Sequence, residues 1–290
     1  MKILVTGKTG QVGYELERSL QGLGEIIAVD RSQMDLSNLD QVREVIRTVK
    51  PNLIINPAAY TAVDKAESEP DLAMCVNGEA PGVMAEEAKK IGAAMIHYST
   101  DYVFDGTKIG PYLETDPACP ANVYGRTKLA GEQAIQAADI PHLILRTSWV
   151  YGMRGKNFLL TILRLAQERD ELRIVGDQHG SPTWCRTIAD TTAHMVAQLR
   201  DVKHSQDWWQ ERTGIYNLTA QGETTWCGFT QAILAHSSVV RKPVLTPIET
   251  RDYPLPAKRP KYSVMSCEKL KQTFYDLPGW QNALALCMEK

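Results

Sequence analysis

A glycine-rich turn after the first apolar stretch constrains the fold of this chain more than any other feature. The strand candidate Lys2–Thr6 leads into the string GKTGQVG at residues 7–13, and the helix candidate Gln11–Leu20 follows. Gly7, Gly10 and Gly13 allow a tight turn and close backbone approach to a pyrophosphate, and a helix N-terminus offers free N–H donors. The spacing is GxxGxxG rather than the commoner GxGxxG, but its place between strand and helix predicts a dinucleotide site.

Apolar runs and amphipathic segments then alternate along the first half of the chain. The predicted strands after the first are Glu25–Asp30, Leu53–Asn56, Ala94–Ser99 and His142–Thr147. The predicted helices between them are Leu39–Val49, Pro70–Lys90 and Tyr124–Ala138. Such alternation predicts an α/β fold, a Rossmann-type doubly wound parallel sheet covered on both faces.

The pattern weakens after Val150, where helices are predicted at Phe158–Glu168 and Ile188–Leu199 and a loop or helix end at Asp201–Thr213. We expect residues 1–148 to form an NAD(P)-binding domain, to which the chain returns around 184–222. Residues 149–183 and 223–290 are expected to form a smaller C-terminal lobe that binds substrate. In open α/β folds, ligands bind beyond the carboxyl ends of the strands.

Composition excludes several classes of protein. Of the 290 residues 43% are hydrophobic and 23% charged, which suits a packed core, and the net charge of −2 offers no basic excess for nucleic acid. No apolar run approaches the roughly 20 residues of a membrane span. The six cysteines are scattered without a CxxC pair, so neither disulfides nor structural zinc are expected, and the reducing cytoplasm is the expected location.

The end of the second predicted strand carries two opposed signals about the cofactor. Asp30 lies about 20 residues after the glycine turn, where an acid bonds the adenosine ribose hydroxyls and favours NAD. Arg31 follows, and a guanidinium there could hold the 2′-phosphate of NADP. Both NADPH and NADH therefore remain open.

A phenol and an ammonium four residues apart, Tyr124 and Lys128, share one face of a predicted helix. Ketone reduction needs a proton donor, and a nearby cation lowers the tyrosine pKa from its ordinary value near 10. Thr100 follows the predicted strand Ala94–Ser99 and could bond both the substrate oxygen and the Tyr124 hydroxyl. These three residues are the predicted catalytic set.

The glycine turn, the Thr100 strand end and the tyrosine–lysine pair resemble the extended short-chain dehydrogenase/reductase superfamily. Four finer strings closely resemble the dTDP-4-dehydrorhamnose reductase family, which makes dTDP-L-rhamnose. They are TAVDKAE at 61–67, HYSTDYVFDG at 97–106, NVYGRTKLAG at 122–131 and RTSWVY at 146–151. The resemblance covers nearly the whole chain and is most specific from residue 61 to 151.

The resemblance implies a role for each matching position. For the cofactor, the glycine turn with Gln11 and Val12 would wrap the pyrophosphate, and further residues would line the adenosine and nicotinamide ends: Asp30, Asp35, Leu36, Ala59, Tyr60, Thr61 and Tyr98. For a dTDP-sugar, the implied contacts are Thr100, Asp101, Trp149 and Arg259. Tyr124 would be the proton donor and Lys128 its tuning partner.

The resemblance leaves the assembly open between a monomer and a homodimer. Some members form dimers bridged by magnesium through acidic side chains. Glu15 is available here, but Arg186 stands where a second acid near Asp190 would be expected. No protein metal ligands are therefore predicted.

Two other functions are compatible with such a scaffold. Nucleotide-sugar dehydratases and epimerases share the fold, but dehydratases carry an acid pair after the threonine, and here Asp101 is followed by Tyr102. A non-catalytic nucleotide-binding regulator, like the β subunit of methionine adenosyltransferase, would not need the intact set of Thr100, Tyr124 and Lys128. The sequence therefore predicts NAD(P)H-dependent reduction of the C4 ketone of a dTDP-bound 6-deoxy sugar.

Overall fold

The computed structural model describes residues 1–201, 205–240 and 242–289. Its strands are β1 Lys2–Val5, β2 Glu25–Ala28, β3 Leu53–Asn56, β4 Ala94–Thr100, β5 His142–Thr147, β6 Val150–Tyr151, β7 Glu171–Val175, β8 His179–Gly180, β9 Thr183–Trp184, β10 Gly214–Asn217, β11 Thr224–Thr225 and β12 Val244–Ile248.

The helices connect these strands and cover the sheet. They are α1 Gln11–Ser19, α2 Leu39–Val49, α3 Val63–Ala66, α4 Pro70–Met74, α5 Ala80–Ile91, α6 Val123–Ala137, α7 Phe158–Glu168, α8 Cys185–Asp201, α9 Ser205–Arg212, α10 Trp226–His236, α11 Glu268–Thr273 and α12 Trp280–Met288. A π-helical turn, Cys75–Glu79, joins α4 to α5, and short 3₁₀ turns lie at Asp101–Val103 and Thr250–Asp252. Within the described ranges, no helix is both long and apolar enough to cross a membrane.

A parallel sheet with the strand order β2-β1-β3-β4-β5-β10 forms the centre of the fold. Side chains alternate along each strand, so Ile3 and Val5 pack under α1 and α8 while Leu4 packs under α2 and α5. This arrangement confirms the predicted Rossmann-type sheet with helices on both faces. The order reverses between β1 and β3, so the crevice beyond their carboxyl ends is the expected ligand site.

A separate apolar cluster lies outside the two layers of the sheet. It is built from α7, α10, α12 and β7, with Tyr151, Phe229 and Trp280 among its buried members. The strands β7 and β12 pair in parallel beside it. These elements form a small lobe next to the carboxyl edge of the main sheet.

One segment differs from the sequence prediction. The pattern of 201–213 predicts a loop or helix end, yet Ser205–Arg212 is helical, while residues 202–204 lie outside the described residues. The reason is burial, because Trp208 and Trp209 contact each other edge to face and cover the core beside α8. Two adjacent tryptophans thus fix a helix whose other residues are polar.

Candidate active site

The glycine turn is shaped to receive an anion at the start of α1. Gly7 has a φ of +60°, and a Cβ on Gly13 would lie 2.1 Å from the Gly7 carbonyl oxygen, so neither position tolerates a side chain. Gly10 is the N-cap of α1 and provides no side-chain hydrogen bond. The first-turn N–H groups of α1 are thus left without a side-chain cap, as a bound pyrophosphate requires.

The side chains of Gln11 and Val12, the two other residues predicted to bind the pyrophosphate, contact other parts of the protein. The Gln11 side-chain oxygen accepts a hydrogen bond from the Asn157 amide at 2.8 Å. Val12 is partly buried against the core beneath α1. Gln11 thus links the turn to the small lobe, whereas Val12 anchors the helix.

The segment after β2 presents the carboxylate of Asp30 beside the ammonium of Lys8. Asp30 accepts hydrogen bonds from the Ser32 amide and hydroxyl, which lower its pKa, and Lys8 Nζ lies 3.6 Å away and acts in the same direction. The exposed Arg31 is bonded to Asp35 at 3.0 Å. Lys8, which the sequence reasoning had not selected, thus adds positive charge beside the predicted ribose site.

The segment after β3 is fixed by one buried amide. Asn77, in the π-helical turn, accepts from the Tyr60 N–H at 2.8 Å and donates to the Tyr60 carbonyl and to Thr127 of α6. The Tyr60 hydroxyl donates to Glu69. The hydrogen bonds of Asn77 fix the backbone at Tyr60, which lies between two other predicted cofactor residues, Ala59 and Thr61. Leu36, also predicted to contact the cofactor, is buried in the core beneath α2.

The end of β4 brings Thr100, Asp101 and the start of α6 together. The Thr100 hydroxyl donates to Asp101 Oδ1 and the Ser148 hydroxyl to Asp101 Oδ2, both at 3.0 Å. A Cβ on Gly125 would lie 2.1 Å from the Tyr102 carbonyl oxygen, so only glycine lets α6 approach the strand end this closely. Tyr124 is thereby held beside Thr100 and Asp101.

The electrostatics of Tyr124 differ from the sequence expectation. Burial raises the pKa of Tyr124 to about 12, with a smaller upward contribution from Asp101, and the Thr100 hydroxyl acts in the opposite direction. Burial also raises the pKa of Asp101 to about 6, although hydrogen bonds from Ser263, Thr100 and Ser148 oppose this. The phenol is therefore held in its protonated form.

Lys128 lies on the Tyr124 helix, but its ammonium nitrogen is bonded to β4. Nζ donates to the Tyr98 carbonyl oxygen at 2.6 Å and lies 3.2 Å from His97 Nε2. Burial lowers the pKa of Lys128 to about 8, with Glu132 acting upward. The hydrogen bond of Nζ is therefore made to the strand rather than to Tyr124, and the lowering of the Tyr124 pKa by Lys128 stays a prediction.

Tyr98 contacts Lys128 through its backbone carbonyl, and its ring lies in the core. The side chain is buried in the core under α1 and α8, and its hydroxyl lies 2.6 Å from the Thr192 hydroxyl. His97, which the sequence reasoning did not select, is wholly buried between Lys128 and Asn56.

A cavity of about 950 Å³ lies beside this cluster, in the small lobe. Tyr102, Phe158 and Trp226 supply aromatic walls, and its lining includes five basic side chains, which are Arg169, Arg173, Lys258, Arg259 and Lys261. Aromatic and basic surfaces together suit a base and a diphosphate. The sequence analysis selected neither Tyr102, although it lies in the string at 97–106, nor Trp226, which lies in none of the family strings.

Trp149 lies behind this aromatic wall. Its backbone has a φ of 47°, and its ring stacks on Trp226 with centroids 3.5 Å apart. A Cβ on Gly180 would lie 2.4 Å from the Trp149 ring, so glycine is needed there for packing. Trp226 therefore covers one face of the residue that was predicted to pack against the sugar.

Arg259 ties the cavity wall to the sheet domain. Its guanidinium forms two hydrogen bonds with the Asp64 carboxylate, at 2.9 and 2.7 Å, and one with the Ala257 carbonyl. The Asn122 side chain, which caps α6, also donates to the Lys258 carbonyl. The two contacts fix segment 257–259 against the helices that carry Asp64 and Tyr124.

The side chains of Glu15, Arg186 and Asp190 form ordinary polar pairs. Arg186 Nε lies 3.2 Å from the Glu15 carboxylate, and Asp190 accepts from the Ser19 hydroxyl at 2.6 Å. Among the residues that the structure describes, no group of three or more acidic, histidine or cysteine side chains could hold a metal ion.

A tyrosine–lysine helix beside the switch point of such a sheet is typical of Rossmann-type reductases and epimerases. The UDP-glucose 4-epimerase of Thermus thermophilus shares this fold, with a TM-score of 0.81 at 19% identity over 99% of this chain and 98% of that chain. The chain belongs to the family of the RmlD substrate binding domain, whose family model matches residues 1–290.

Several relatives named as members of one reductase family are similar to this chain over nearly their full lengths. The dTDP-4-dehydrorhamnose reductase of Burkholderia thailandensis is 48% identical over 99% of this chain and 98% of that protein. That of Escherichia coli K12 is 46% identical, over 97% and 95%. A crystal structure of dTDP-4-dehydrorhamnose reductase from Bacillus anthracis in complex with NADP has a TM-score of 0.89 at 34% identity, covering 99% and 98%. The predicted family is thus confirmed.

Proposed function

We propose that this protein reduces the C4 ketone of dTDP-4-dehydro-6-deoxy-L-mannose to dTDP-L-rhamnose with NADPH or NADH. The observation that carries the proposal is the cluster of Thr100, Asp101 and Tyr124, in which Tyr124 contacts Tyr102, a wall of the basic, aromatic cavity. Family membership and the names of the relatives supply the reaction and the dTDP-sugar.

Two regions of the chain are assigned to the two ligands. We assign the cofactor to residues 1–148 with 184–222, where the uncapped start of α1 would hold the pyrophosphate. The sugar nucleotide is assigned to 149–183 and 223–290, where Arg259 and its basic neighbours line the cavity. We also propose a cytoplasmic location, which the six free cysteines support, and the assembly stays open between a monomer and a homodimer.

The reduced nicotinamide, when bound, supplies the hydride. Tyr124 then gives its hydroxyl proton to the alkoxide that forms at C4, and Thr100 holds the same oxygen. The raised pKa of Tyr124 keeps this proton in place until the alkoxide appears. Lys128, whose Nζ donates to the Tyr98 carbonyl oxygen, would hold the nicotinamide ribose of a bound cofactor.

The test is turnover in the reverse direction, with dTDP-L-rhamnose and either NADP⁺ or NAD⁺, followed by nicotinamide absorbance. We expect cofactor reduction by the wild type and a loss on the order of 10²–10⁴-fold in Tyr124→Phe, with cofactor affinity unchanged. Normal turnover in Tyr124→Phe would overturn the role of this residue. Conversion of the sugar without net cofactor reduction would instead indicate an epimerase.

A further inference from the structure

A loop between β6 and α7, residues 152–157, lies against the first turns of α1. The Asn157 side-chain nitrogen Nδ2 donates to Gln11 Oε1 at 2.8 Å. The guanidinium carbon of Arg154 lies 3.7 Å from the centre of the Tyr14 ring, which is a cation–π contact. Two independent contacts therefore hold this loop of the small lobe on the helix that follows the glycine turn.

The direction of the Asn157 hydrogen bond is fixed by the helix that this residue caps. Asn157 Oδ1 accepts from the Leu160 N–H at 3.0 Å, as an N-cap does at the start of α7. The nitrogen of the same amide has two further partners, the carbonyl oxygens of Gly152 and Arg154. Carbonyl oxygens only accept hydrogen bonds, so Nδ2 must be the donor and Gln11 must present its oxygen.

The two residues that share this hydrogen bond belong to the two binding regions. Gln11 is the first residue of α1, where the uncapped N–H groups are assigned to the cofactor diphosphate. Asn157 is the N-cap of α7, and α7 forms one wall of the cavity assigned to the sugar nucleotide, through Phe158, Thr161 and Leu165. One hydrogen bond thus joins the start of the cofactor helix to the start of a wall of the substrate cavity.

The loop is anchored at its two ends and exposed in between. Gly152 is buried and Asn157 is half-buried, whereas residues 153–156 are exposed. Segments with few buried contacts open at low free energy, so their order responds to what binds beside them. The ion pair of Arg259 with Asp64 also joins the small lobe to the sheet domain, but it is made by α3 and not by the glycine turn. The hydrogen bond between Asn157 and Gln11 is therefore a contact through which the order of the glycine turn reaches α7.

We propose that Asn157 is a positioning residue that couples the two sites, so that cofactor and sugar nucleotide each increase the affinity for the other. A diphosphate on the first-turn N–H groups of α1 would fix Gln11, and with it the loop and the start of α7. A sugar nucleotide that then binds against α7 has less conformational freedom to remove. Linkage makes the effect equal in the opposite direction. The assignment of the two ligands rests on the proposed function, but the docking of the loop on α1 does not.

The first measurement is amide hydrogen exchange by mass spectrometry, with and without saturating NADP⁺. We expect NADP⁺ alone to slow exchange in peptides from the first turn of α7 at least about fivefold, the lower end of common coupling factors. Gln11→Met keeps the backbone N–H but removes the acceptor for Asn157, so this slowing should disappear while NADP⁺ still binds. Unchanged exchange in the wild type with NADP⁺ bound, or equal slowing in Gln11→Met, would overturn the proposal.

The second measurement is the coupling itself, by isothermal titration calorimetry. NADP⁺ is titrated into the protein with and without saturating dTDP, which carries the base and the diphosphate of the proposed substrate but no sugar that could react. We expect dTDP to lower the dissociation constant of NADP⁺ at least about fivefold in the wild type and less than about twofold in Asn157→Ser. Serine keeps an oxygen that caps α7 but has no amide to reach Gln11. A ratio near one in the wild type, or the wild-type ratio in Asn157→Ser, would contradict the proposal.

Two further variants separate coupling from simple damage to a helix cap. Asn38→Ser makes the same change at the N-cap of α2, where Asn38 accepts from the Gln41 N–H, and should keep the wild-type ratio. The double variant that combines Gln11→Met with Asn157→Ser should lose no more coupling than either single variant, because both remove the same hydrogen bond. A loss of coupling in Asn38→Ser, or additive losses in the double variant, would indicate general destabilisation and would refute the role of Asn157.

Neither measurement uses turnover. Coupled binding without conversion of dTDP-L-rhamnose would overturn the proposed reaction and leave the coupling standing. Turnover without coupled binding would overturn the coupling and leave the reaction standing. No binding of NADP⁺ to the wild type would overturn both.

Discussion

The contact between Gly125 and the end of β4 yields the sharpest structural prediction. In Gly125→Ala the added Cβ would lie 2.1 Å from the Tyr102 carbonyl oxygen and 2.9 Å from the Pro120 side chain. Because Cβ atoms are essentially never found within 3.0 Å of such neighbours, the start of α6 must retreat by nearly 1 Å. Tyr124 moves with it, away from Thr100.

The expected cost follows from that displacement. A misplacement of about 1 Å at a reacting group can reduce turnover on the order of 10²-fold. Overpacking of a close contact also destabilises the fold by about 1–3 kcal/mol. Cofactor affinity should change little, because the glycine turn follows β1, whereas Gly125 lies in α6 next to the end of β4. We therefore expect kcat to fall about 100-fold, while the dissociation constant of NADP⁺ stays near the wild-type value.

The assay combines reverse turnover, cofactor titration and thermal unfolding. The matched control is Gly82→Ala on α5, whose Cβ would meet the Ala134 side chain of α6 at a milder 3.1 Å. This variant should keep turnover close to wild type. Wild-type kcat and Tm in Gly125→Ala would refute the argument that the close approach of α6 places the proton donor.

Three further variants test the charged groups. Arg31→Ala should weaken NADPH binding about tenfold more than NADH binding, measured by fluorescence titration, and equal weakening would show that Arg31 does not contact the 2′-phosphate. Asp64→Asn should lower stability by about 1 kcal/mol and raise KM for the sugar nucleotide by loosening Arg259, with kcat retained; an unchanged KM would contradict this. Glu87 is buried against Arg47, which lowers its pKa to about 2, so its stabilisation is present above about pH 4.5 and is lost as pH falls toward 2. Glu87→Gln should remove about 1–3 kcal/mol at pH 7 and flatten this acid dependence in urea unfolding; an unaltered dependence would count against it.

The sheet was predictable because its signals are local and repeated. Leu53–Asn56 and His142–Thr147 are strands with the bounds that their apolar runs indicate, and Leu39–Val49 is the predicted helix. The strand β3 is buried along its whole length and β5 along all but its last residue, so both have an apolar centre, and the glycine turn marks the first crossover. The family strings could then be placed at the ends of known strands.

The arrangement around the site was less predictable because it depends on contacts between distant segments. Tyr124 and Lys128 share a helix face by spacing alone, but the direction of Nζ is set by His97 and the Tyr98 carbonyl in another strand. Trp226 is more than seventy residues from Trp149, and nothing near either residue indicates that their rings stack. Sequence spacing thus predicts which side chains share a helix face. The groups that those side chains contact are decided by tertiary packing.

The electrostatic asymmetry of the site bears on the direction of the proposed reaction. Reduction starts from a protonated Tyr124, and oxidation of the alcohol starts from its phenolate. Burial and the nearby Asp101 carboxylate both favour the phenol, as the pKa of about 12 indicates, and Lys128 gives its hydrogen bonds to β4 instead of to Tyr124. The group that would release its proton in the proposed reduction is thus protonated in this structure.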